Sequence, residues 1–361
     1  MKKILNIGFV GLTHLGLNYL AASSEKGFKV VGVDLDENKV DKLKKFDIDY
    51  KEPNLKKTIL KNKKKIIFSS NLNFLKSCNI VFISQDVFTN SLNKGDFDGL
   101  RKLTMQTSKF LNKKAIMVIL SQTQPGFTRK INFDNNRLYY QVETLIFGEA
   151  LKRALNPERI IIGCKSSKSK VNRFFINYLK KFSCPIIKMG YESAELAKIS
   201  INILLASSIT ATNVLARACE KVSADWQEII PALKLDKRIG KNAYIKPGLG
   251  ISGGNIERDI DSIGEILKKE NKTFSIIKVF QKNSLYMKSW VYRVLKKEKI
   301  LSKKNKFNIG ILGLSYKENT NSIKNSPAIY LLKKIKNAKV NVYDPEVILK
   351  KTKNCQQADN I

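Results

Sequence analysis

The glycine turn after the first apolar segment restricts the fold of this chain more than any other feature. Residues 4–10 are mostly apolar, Gly11-Leu12-Thr13-His14-Leu15-Gly16 follows directly, and a helical pattern comes next. A second apolar run, residues 30–33, ends at Asp34. A strand, a glycine turn, a helix and a strand that ends in an acidic residue are typical of the first βαβ unit of a doubly wound sheet. We therefore predict an α/β protein whose amino-terminal domain is Rossmann-like.

The turn and Asp34 also predict a dinucleotide cofactor. Gly11 and Gly16 match the first and third glycines of G-x-G-x-x-G, whereas Thr13 replaces the second and either offers a hydroxyl group or shifts the cofactor slightly. Asp34 follows Gly16 by 18 residues and is suited to bind the hydroxyl at position 2′ of the adenosine ribose. Because a carboxylate repels a phosphate at that position, NAD is favoured over NADP.

His14 is the only histidine of the chain. A lone histidine suggests an acid or a base, but its place inside the turn favours packing against the pyrophosphate or hydrogen bonding to it. A Ser-His-Asp hydrolase is correspondingly disfavoured. The turn residues that we assign to the cofactor are Gly11, Thr13, His14, Leu15 and Gly16.

The net charge of +35 is extreme and would by itself suggest a nucleic-acid or anionic-membrane partner. The lysines, however, are spread through every segment. The densest runs, residues 63–65 and 296–304, lack interleaved aromatic residues and any nucleic-acid motif. We interpret the charge as solvated lysine-rich faces, or as a cationic surface that attracts phosphate-bearing substrates, and expect no nucleic-acid partner.

Cysteine usage and hydropathy predict a cytoplasmic protein. The five cysteines are widely spaced and form no C-x-x-C pair, so neither a metal site nor a disulfide framework is expected. No stretch approaches the ~20 apolar residues that cross a bilayer, so no membrane helix is expected.

Apolar, β-branched runs recur at residues 80–83, 115–120 and 159–162, and helical patterns such as residues 100–111 separate them. This alternation predicts a parallel sheet. We assign residues 1–190 to the NAD-binding domain.

A long helix is predicted between Ser193 and Glu220, with about seven turns. Its apolar residues fall on more than one face, which favours a helix buried on most sides or shared with a second subunit, so we expect a homodimer. This helix opens a central domain, residues 191–295, and the lysine-rich residues 296–306 are interpreted as a linker.

The opening pattern returns near the end of the chain. Residues 307–314 read as a strand and a turn, and residues 340–345 as a strand that ends in Asp344 and Pro345. We predict a second Rossmann-like half over residues 305–361. Only two of its strands can be counted, so we expect this half to be incomplete.

Two further segments suggest a reaction site. Lys198 and Asn202 lie four residues apart on the long helix, hence on one face, and either point into a cleft or form an exposed pair at the helix end. Residues 246–259 contain four glycines in seven positions before a helical continuation, which favours binding of an anion by backbone amides over a purely structural turn.

Taken together, these segments resemble the UDP-glucose/GDP-mannose dehydrogenase family over nearly the whole chain. The motifs that carry the resemblance occur in the order of that family. They are the first turn with Asp34, then residues 123–128, 142–145, 194–202, 236–240, the glycine loop, 313–320 and 326–328.

The resemblance implies an NAD domain, a central helix that forms a dimer, and a carboxy-terminal domain that binds the nucleotide of a nucleotide sugar. In that family a sugar alcohol is oxidised twice with NAD. Lys198 and Asn202 match the lysine and asparagine that stabilise the oxyanion, Asp259 an aspartate that handles water, and Glu143 a glutamate that assists hydrolysis. Thr123 is assigned to the cofactor. The implied substrate-binding residues are Arg238, Gly250, Gly253, Gly254, Lys317 and Lys324.

The sequence departs from the family pattern at the nucleophile. Asn255 stands at the position of the cysteine that attacks the aldehyde, and Phe147 at that of a second glutamate. An amide cannot form the thioester. Arg258 replaces a lysine, and Lys324 replaces an arginine that contacts the nucleotide sugar and so lacks its bidentate fork.

Hypotheses from different classes remain open at this point. The first is an oxidoreductase that moves one hydride between a CH–OH group of a nucleotide sugar, preferably a UDP-sugar, and NAD in the synthesis of a polysaccharide or surface-glycan precursor. Its reaction either stops at a carbonyl or uses the carbonyl transiently, as in epimerisation. Full oxidation to the uronate by a cysteine-free route is an alternative within enzymes. The other class is a catalytically silent protein that binds NAD or a nucleotide sugar.

Overall fold

The protein was analysed as a computed structural model that describes residues 5–87, 95, 97–268, 275–302, 307–318, 320–335, 338–349 and 355–358 of 361. The chain divides into two compact units, Met1–Lys198 and Ile199–Ile361. Each unit contains its own parallel or mostly parallel sheet. The three predicted domain ranges remain predictions.

The first unit is built on an eight-stranded sheet with the order β3-β2-β1-β4-β5-β6-β7-β8. All neighbouring strands are parallel except β6 and β7, which pair antiparallel, so the prediction of a parallel sheet is wrong at this one pair. The order reverses direction between β1 and β4, as in a doubly wound fold. The strands are β1 (Asn6–Val10), β2 (Lys29–Val33), β3 (Ile66–Ser69), β4 (Ile80–Ile83), β5 (Ile116–Ile119), β6 (Leu138–Gln141), β7 (Ile160–Cys164) and β8 (Ile186–Gly190).

Helices cover both faces of this sheet, which is why its central strands are continuous apolar runs. Phe9 and Phe82 stack on one face with ring centroids 5.1 Å apart, and Tyr178 packs 5.3 Å from Phe82. Val10 and Ile83 belong to the core of the other face. The helices of this unit are α1 (His14–Glu25), α2 (Glu37–Lys44), α3 (Leu55–Lys61), α4 (Phe97–Ser108), α5 (Ala150–Leu155), α6 (Arg173–Leu179) and the start of α7 (Tyr191–Val222).

Helix α7 confirms the predicted long helix, with 32 residues and a length of about 48 Å at about 1.5 Å per residue. By length and composition alone it is apolar enough to cross a membrane, since its most apolar 18-residue window has a mean hydropathy of 1.6 and is 33% buried. The expectation that no stretch approaches such a span is therefore wrong, because serine, threonine and asparagine interrupt the apolar run without greatly lowering its average. Asn213 within the helix is buried and accepts a hydrogen bond from the Gly248 amide at 2.9 Å.

The second unit contains a three-stranded parallel sheet with the order β11-β10-β9. Two of its strands are the predicted ones, but β11 shows no apolar run, so the count of only two strands is wrong. Helix α11 extends to Lys297, past the start of the predicted linker, of which residues 303–306 lie outside the described residues. The elements are α8 (Trp226–Leu235), α9 (Asn255–Ile266), α10 (Ser275–Lys288), α11 (Trp290–Lys297), β9 (Asn308–Leu312), α12 (Pro327–Lys334), β10 (Lys339–Tyr343) and β11 (Cys355–Gln357).

The turns after β1 and β9 are built in the same way. The Leu12 amide donates to Asp34 Oδ2 at 2.8 Å, and the Leu314 amide donates to Asp344 Oδ2 at 2.6 Å. Gly313 has a φ of 86°, close to the 89° of Gly11 in the first turn. The aspartate that ends the second strand thus holds the turn that ends the first strand. The repeated construction confirms the predicted second Rossmann-like half.

Asp344 provides a test of this construction in the second unit. Its carboxylate accepts hydrogen bonds from the amides of Leu314, Ser315, Glu346 and Val347. Burial raises the pKa of Asp344, but the four amide donors outweigh it, and the net pKa lies below the ordinary value. Asp344→Asn should therefore lower the free energy of unfolding by about 2 kcal/mol at neutral pH, since an amide offers only one acceptor oxygen.

The stabilisation of the fold by the Asp344 carboxylate should decrease as the pH is lowered. Because the folded pKa is lowered, the stabilisation is fully present above the unfolded pKa of about 3.9 and is lost as the pH falls through the folded pKa. Urea unfolding at several pH values should show the gap between wild type and Asp344→Asn closing below about pH 4. Asp225→Asn is the control, because asparagine caps helix α8 as well as aspartate does. A gap that is independent of pH would contradict the assignment.

Candidate active site

The glycines of the first turn are required by close packing of the protein's own backbone. A Cβ atom on Gly16 would lie 2.1 Å from the Gly11 carbonyl oxygen, and one on Gly11 would lie 2.7 Å from the Gln85 backbone. Both positions therefore require glycine. The Thr13 hydroxyl donates to the Ser84 carbonyl at 3.1 Å and accepts from the Asp86 amide at 3.3 Å. The Thr13 hydroxyl thus links the turn to the end of β4 by two hydrogen bonds, which the sequence did not reveal.

A cleft of about 310 Å³ opens at the carboxyl ends of β1, β2 and β4, where the strand order reverses. This is the position at which doubly wound sheets bind their ligands. Asp34 lies in it and accepts hydrogen bonds from the Leu12 amide, the Asp36 amide and Lys39 Nζ, the last at 2.9 Å. The cleft is lined by Val10, Gly11, Asp34, Leu35, Gln85, Asp86, Gly99, Leu100 and Leu103.

The residues present fit a dinucleotide with free ribose hydroxyls. The glycine turn lies at the amino-terminus of α1, the position at which doubly wound folds bind a pyrophosphate, and the Asp34 carboxylate can exchange the Lys39 ammonium for a hydroxyl donor. Lys39 was missed in the sequence, where only its position five residues after Asp34 on α2 could have indicated it.

The His14 imidazole is held by protein groups. Its Nε2 lies 2.9 Å from Glu52 Oε2, and its ring stacks on Phe147 with centroids 4.2 Å apart. Glu52 also accepts from the amides of Gly148 at 3.0 Å and Ala150 at 2.8 Å. Buried Glu52 thus joins the cofactor turn to the loop after β6, and sequence reasoning missed it because no pattern surrounds it.

Lys198 forms a buried ion pair in the first unit. Its Nζ lies 2.9 Å from Glu143 Oε1, and only 8% of Lys198 is exposed. The alternative of an exposed pair at the helix end is therefore wrong. Glu143 also accepts from the Leu145 amide at 3.0 Å, which fixes its carboxylate. The ammonium and the carboxylate are both desolvated, so each depends strongly on its partner.

Glu195, one turn before Lys198, fixes the loop that carries Thr123. Its carboxylate accepts from the Gly126 amide at 2.6 Å, the Thr128 amide at 2.8 Å and the Thr123 hydroxyl at 3.3 Å. Burial raises the pKa of Glu195, although these donors oppose it. Thr123 is thus placed by the helix that also carries Lys198.

Asn202 and Asp259 meet in the second unit. The Asn202 Nδ2 donates to Asp259 Oδ2 at 2.6 Å, and the two residues are 7% and 1% exposed. Arg258 Nε lies 3.5 Å from the other carboxylate oxygen. The amide of Asn202 is therefore oriented by a buried carboxylate.

The glycine loop packs against the segment after β9. Gly253 donates its amide to the Lys324 carbonyl at 3.0 Å, and a Cβ atom on Gly253 would lie 3.1 Å from the Tyr316 ring. A Cβ atom on Gly254 would lie 2.9 Å from the Lys324 side chain, and one on Gly250 would lie 2.5 Å from the Ser284 carbonyl. Close packing of neighbouring atoms at these three positions explains why each of them is a glycine.

Lys324 is thus brought to the glycine loop, and Lys317 lies next to Tyr316, its Nζ 5.8 Å from the ring centroid. Arg238 lies on an exposed turn, and its predicted role in substrate binding stays a prediction. Its guanidinium binds Asp236 with an N–O distance of 2.6 Å, and its side chain is 88% exposed.

Asn255 is the first residue of α9 and is exposed. A side chain at this position faces the positive end of a helix. Among the described residues the free cysteines lie outside the glycine loop and α9; they are Cys78, Cys164, Cys184 and Cys219. Burial raises the pKa of Cys78 to about 12 and that of Cys164 to about 11, which disfavours their thiolates.

The fold and these groups define a dinucleotide-binding oxidoreductase with two Rossmann-like halves joined by a helical region. Comparison with known families agrees with this class. Residues 5–181 match the NAD binding domain of the UDP-glucose/GDP-mannose dehydrogenase family, residues 192–284 its central domain and residues 310–360 its UDP binding domain. The chain belongs to the UDP-glucose/GDP-mannose dehydrogenase family. It is an NAD-dependent oxidoreductase of the nucleotide-sugar dehydrogenase type.

Individual relatives align over almost the whole chain. UDP-glucose 6-dehydrogenase of Rickettsia bellii (strain RML369-C) is 30% identical over 363 residues, which cover 94% of this chain and 81% of the relative. UDP-glucose 6-dehydrogenase TuaD of Bacillus subtilis (strain 168) is 29% identical over 364 residues, which cover 96% of this chain and 77% of the relative. A UDP-glucose dehydrogenase of Pyrobaculum islandicum has the same fold, with a TM-score of 0.84 at 22% identity, covering 95% of this chain and 82% of that one.

Proposed function

We propose that the chain oxidises a CH–OH group of a nucleotide sugar, a UDP-sugar in preference, with transfer of one hydride to NAD and release of a carbonyl product. The observation that carries this proposal is the pair of buried polar groups on α7, Lys198 bound to Glu143 and Asn202 bound to Asp259. These two side chains lie four residues apart on one helix and so point to one side of it.

The proposed roles follow from charge and hydrogen bonding. The Lys198 ammonium and the Asn202 amide would donate to the substrate oxygen and stabilise the negative charge that develops as its hydrogen leaves. Asp259 orients the Asn202 amide and would take up the hydroxyl proton, directly or through a water molecule. Bound NAD supplies the hydride acceptor at the carbinol carbon.

Asn255 is the reason for stopping at one oxidation. A second oxidation through a thioester needs a sulfur nucleophile, and the amide at this position provides none. Phe147 stands where the family pattern has a second glutamate, and its ring packs on His14. We therefore propose that hydrolysis of a covalent acyl intermediate is not part of this reaction.

The preference for a uridine nucleotide has two supports. The described relatives are UDP-glucose 6-dehydrogenases, and residues 310–360 match a UDP binding domain. Lys317 and Lys324 lie in that part of the chain and would neutralise a diphosphate, although Lys324 lacks the fork of arginine. A role in making a polysaccharide or surface-glycan precursor fits such a substrate.

The number of NADH molecules per sugar distinguishes this proposal from its alternatives. One NADH or fewer supports a single oxidation, and two support full oxidation to the uronate by a cysteine-free route. Binding of NADH and of UDP-sugars without turnover across a panel of sugars would instead support a silent binding protein.

Lys198→Ala should lower the turnover rate by about 100-fold or more, the usual effect of losing one preorganised oxyanion donor. Steady-state rates of NADH formation measure this. Lys221→Ala, which removes an exposed lysine from the same helix, is the matched control and should keep the full rate. Because Lys198→Ala leaves Glu143 unpaired, NADH binding should be measured on the variant to show that the first unit is folded. A folded variant with an unchanged rate would remove Lys198 from the site.

Asn255→Cys should introduce uronate formation if the remaining groups are competent. A thiol at the start of α9 would have its pKa lowered by the helix terminus and by the Lys324 ammonium next to Gly254, which favours reaction as a thiolate. Mass spectrometry of the product and the NADH yield per sugar measure the outcome, with Asn255→Ala as the control that lacks a nucleophile. Aldehyde as the sole product of the cysteine variant would show that further groups have been lost.

We also propose that the chain forms a homodimer through α7. Leu204 and Val222 on this helix are 68% and 73% exposed in the single chain, and Val214 and Leu215 are about half exposed. Burial of such side chains in an interface is favourable by roughly 25 cal/mol per Å². Light scattering should give twice the chain mass of 41.0 kDa, and Leu204→Asp should shift it toward the monomer. A monomeric wild type at micromolar concentration would refute the proposal.

A further inference from the structure

Buried Glu52 connects the start of α1 to the loop between β6 and α5. Only 8% of this residue is exposed. Its Oε2 accepts from the Gly148 amide at 3.0 Å and lies 2.9 Å from His14 Nε2, and its Oε1 accepts from the Ala150 amide at 2.8 Å. Because an ionised carboxylate offers only acceptor atoms, we assign the ring hydrogen of His14 to Nε2. Three donors from two parts of the chain thus converge on one carboxylate.

The His14 side chain ties this carboxylate to the cofactor turn. His14 is the first residue of α1. The first backbone amides of a helix have no partners within it, and in doubly wound folds they bind the pyrophosphate of the dinucleotide. The ring also stacks on Phe147, with centroids 4.2 Å apart. A shift of the turn would therefore move a ring that both Glu52 and Phe147 hold.

On its other side Glu52 fixes the end of the loop that begins with Glu143. Ala150 is the first residue of α5, so Glu52 satisfies an amide at the start of that helix although it precedes Ala150 by 98 residues. At the start of the loop the Glu143 carboxylate binds Lys198 Nζ at 2.9 Å. Gly148 follows Glu143 by only five residues, so the position of one end of the loop restricts the other.

Helix α5 adds a second connection between Glu52 and Glu143. From this helix Arg153 Nε donates to the Thr144 carbonyl at 2.8 Å, and the Leu145 amide donates to the Glu143 carboxylate at 3.0 Å. Thr144 and Leu145 directly follow Glu143. All of these contacts lie within the first compact unit, Met1–Lys198. A continuous series of hydrogen bonds, short backbone segments and one ion pair thus leads from the cofactor turn to Lys198.

We propose that Glu52 is a positioning residue that couples the cofactor turn to Glu143 and, through it, to Lys198. Binding of a pyrophosphate orders the amino-terminus of α1, and the contact between His14 and Glu52 extends this order to the loop. The Glu143 carboxylate then holds the Lys198 ammonium where turnover requires it. This inference rests on the proposed role of Lys198 as an oxyanion donor. Misplacing such a group by about 1 Å can lower a rate by about 100-fold.

Two variants interrupt this series at different contacts. Glu52→Gln keeps the size of the side chain but replaces one acceptor oxygen by an NH2 group, which cannot accept from the donor in front of it. His14→Phe keeps a ring against Phe147 and removes the donor to Glu52. Glu149→Gln is the matched control, because this exposed glutamate lies in the same loop and its side chain makes no capping hydrogen bond to α5.

Hydrogen exchange followed by mass spectrometry measures the coupling without turnover. In wild type and in Glu149→Gln, saturating NADH should slow the exchange of residues 11–16 and also of residues 142–149. In Glu52→Gln and in His14→Phe, the protection of residues 11–16 should remain, whereas that of residues 142–149 should be lost. Protection of residues 142–149 by NADH in either folded variant, or its absence in wild type, would overturn the proposal.

The rate of NADH formation is the second readout, measured well below the melting temperature of each variant. With NAD and the nucleotide sugar both saturating, Glu52→Gln and His14→Phe should lower kcat about tenfold or more, and Glu149→Gln should keep the full rate. Loss of protection with an unchanged kcat would refute the link to Lys198. A wild type that shows no turnover would contradict the proposed function, while the exchange experiment would still decide the coupling. Should Glu52→Gln not fold, His14→Phe provides both readouts, since it leaves Glu52 and the two loop amides in place.

Discussion

The register of helix α7 is the constraint on which the ion pair and the hydrogen bonds of its buried polar side chains depend. Glu195, Lys198 and Asn202 are spaced by three and four residues, so the helix presents all three along one side. Glu195 holds the loop of Thr123, Lys198 holds Glu143, and Asn202 holds Asp259. A one-residue shift would rotate each of these groups by about 100° and would leave buried charges without partners. The apolar residues of the helix supply packing, but its polar residues determine its rotation about its own axis.

Local sequence patterns predicted those parts of the molecule whose partners are close in the chain or whose pattern is periodic. The runs at β1, β4 and β5 are continuously apolar because helices cover both faces of the sheet. The edge strand β8 has no fully buried residue, and β11 has no apolar run, so neither was foreseen. Strand β7 was predicted, but its antiparallel direction could not be foreseen, because strand direction depends on the connection and leaves no mark in composition.

The same distinction separates the predicted site residues from the missed ones. Lys198 and Asn202 could be selected because polar residues stand out in an apolar helix. Glu52 could not, since its partners Gly148 and Ala150 follow it by 96 and 98 residues and its loop has no pattern. Thr13 and Arg238 show the opposite difficulty. Their residue types suggest ligand contacts, and the sequence did not show that their side chains also bind Ser84 and Asp236.

The repeated turn gives its two aspartates different freedom. Asp344 is held by four backbone amides, and releasing it would dismantle the turn and the strand end. Asp34 is held partly by the Lys39 ammonium, whose side chain is 26% exposed and can move without any change of the backbone. The carboxylate of Asp34 therefore has a side-chain partner that a ligand can replace. The carboxylate of Asp344 has its hydrogen bonds filled by backbone amides. The same turn can therefore bind a ligand in the first Rossmann-like half and hold the backbone rigidly in the second.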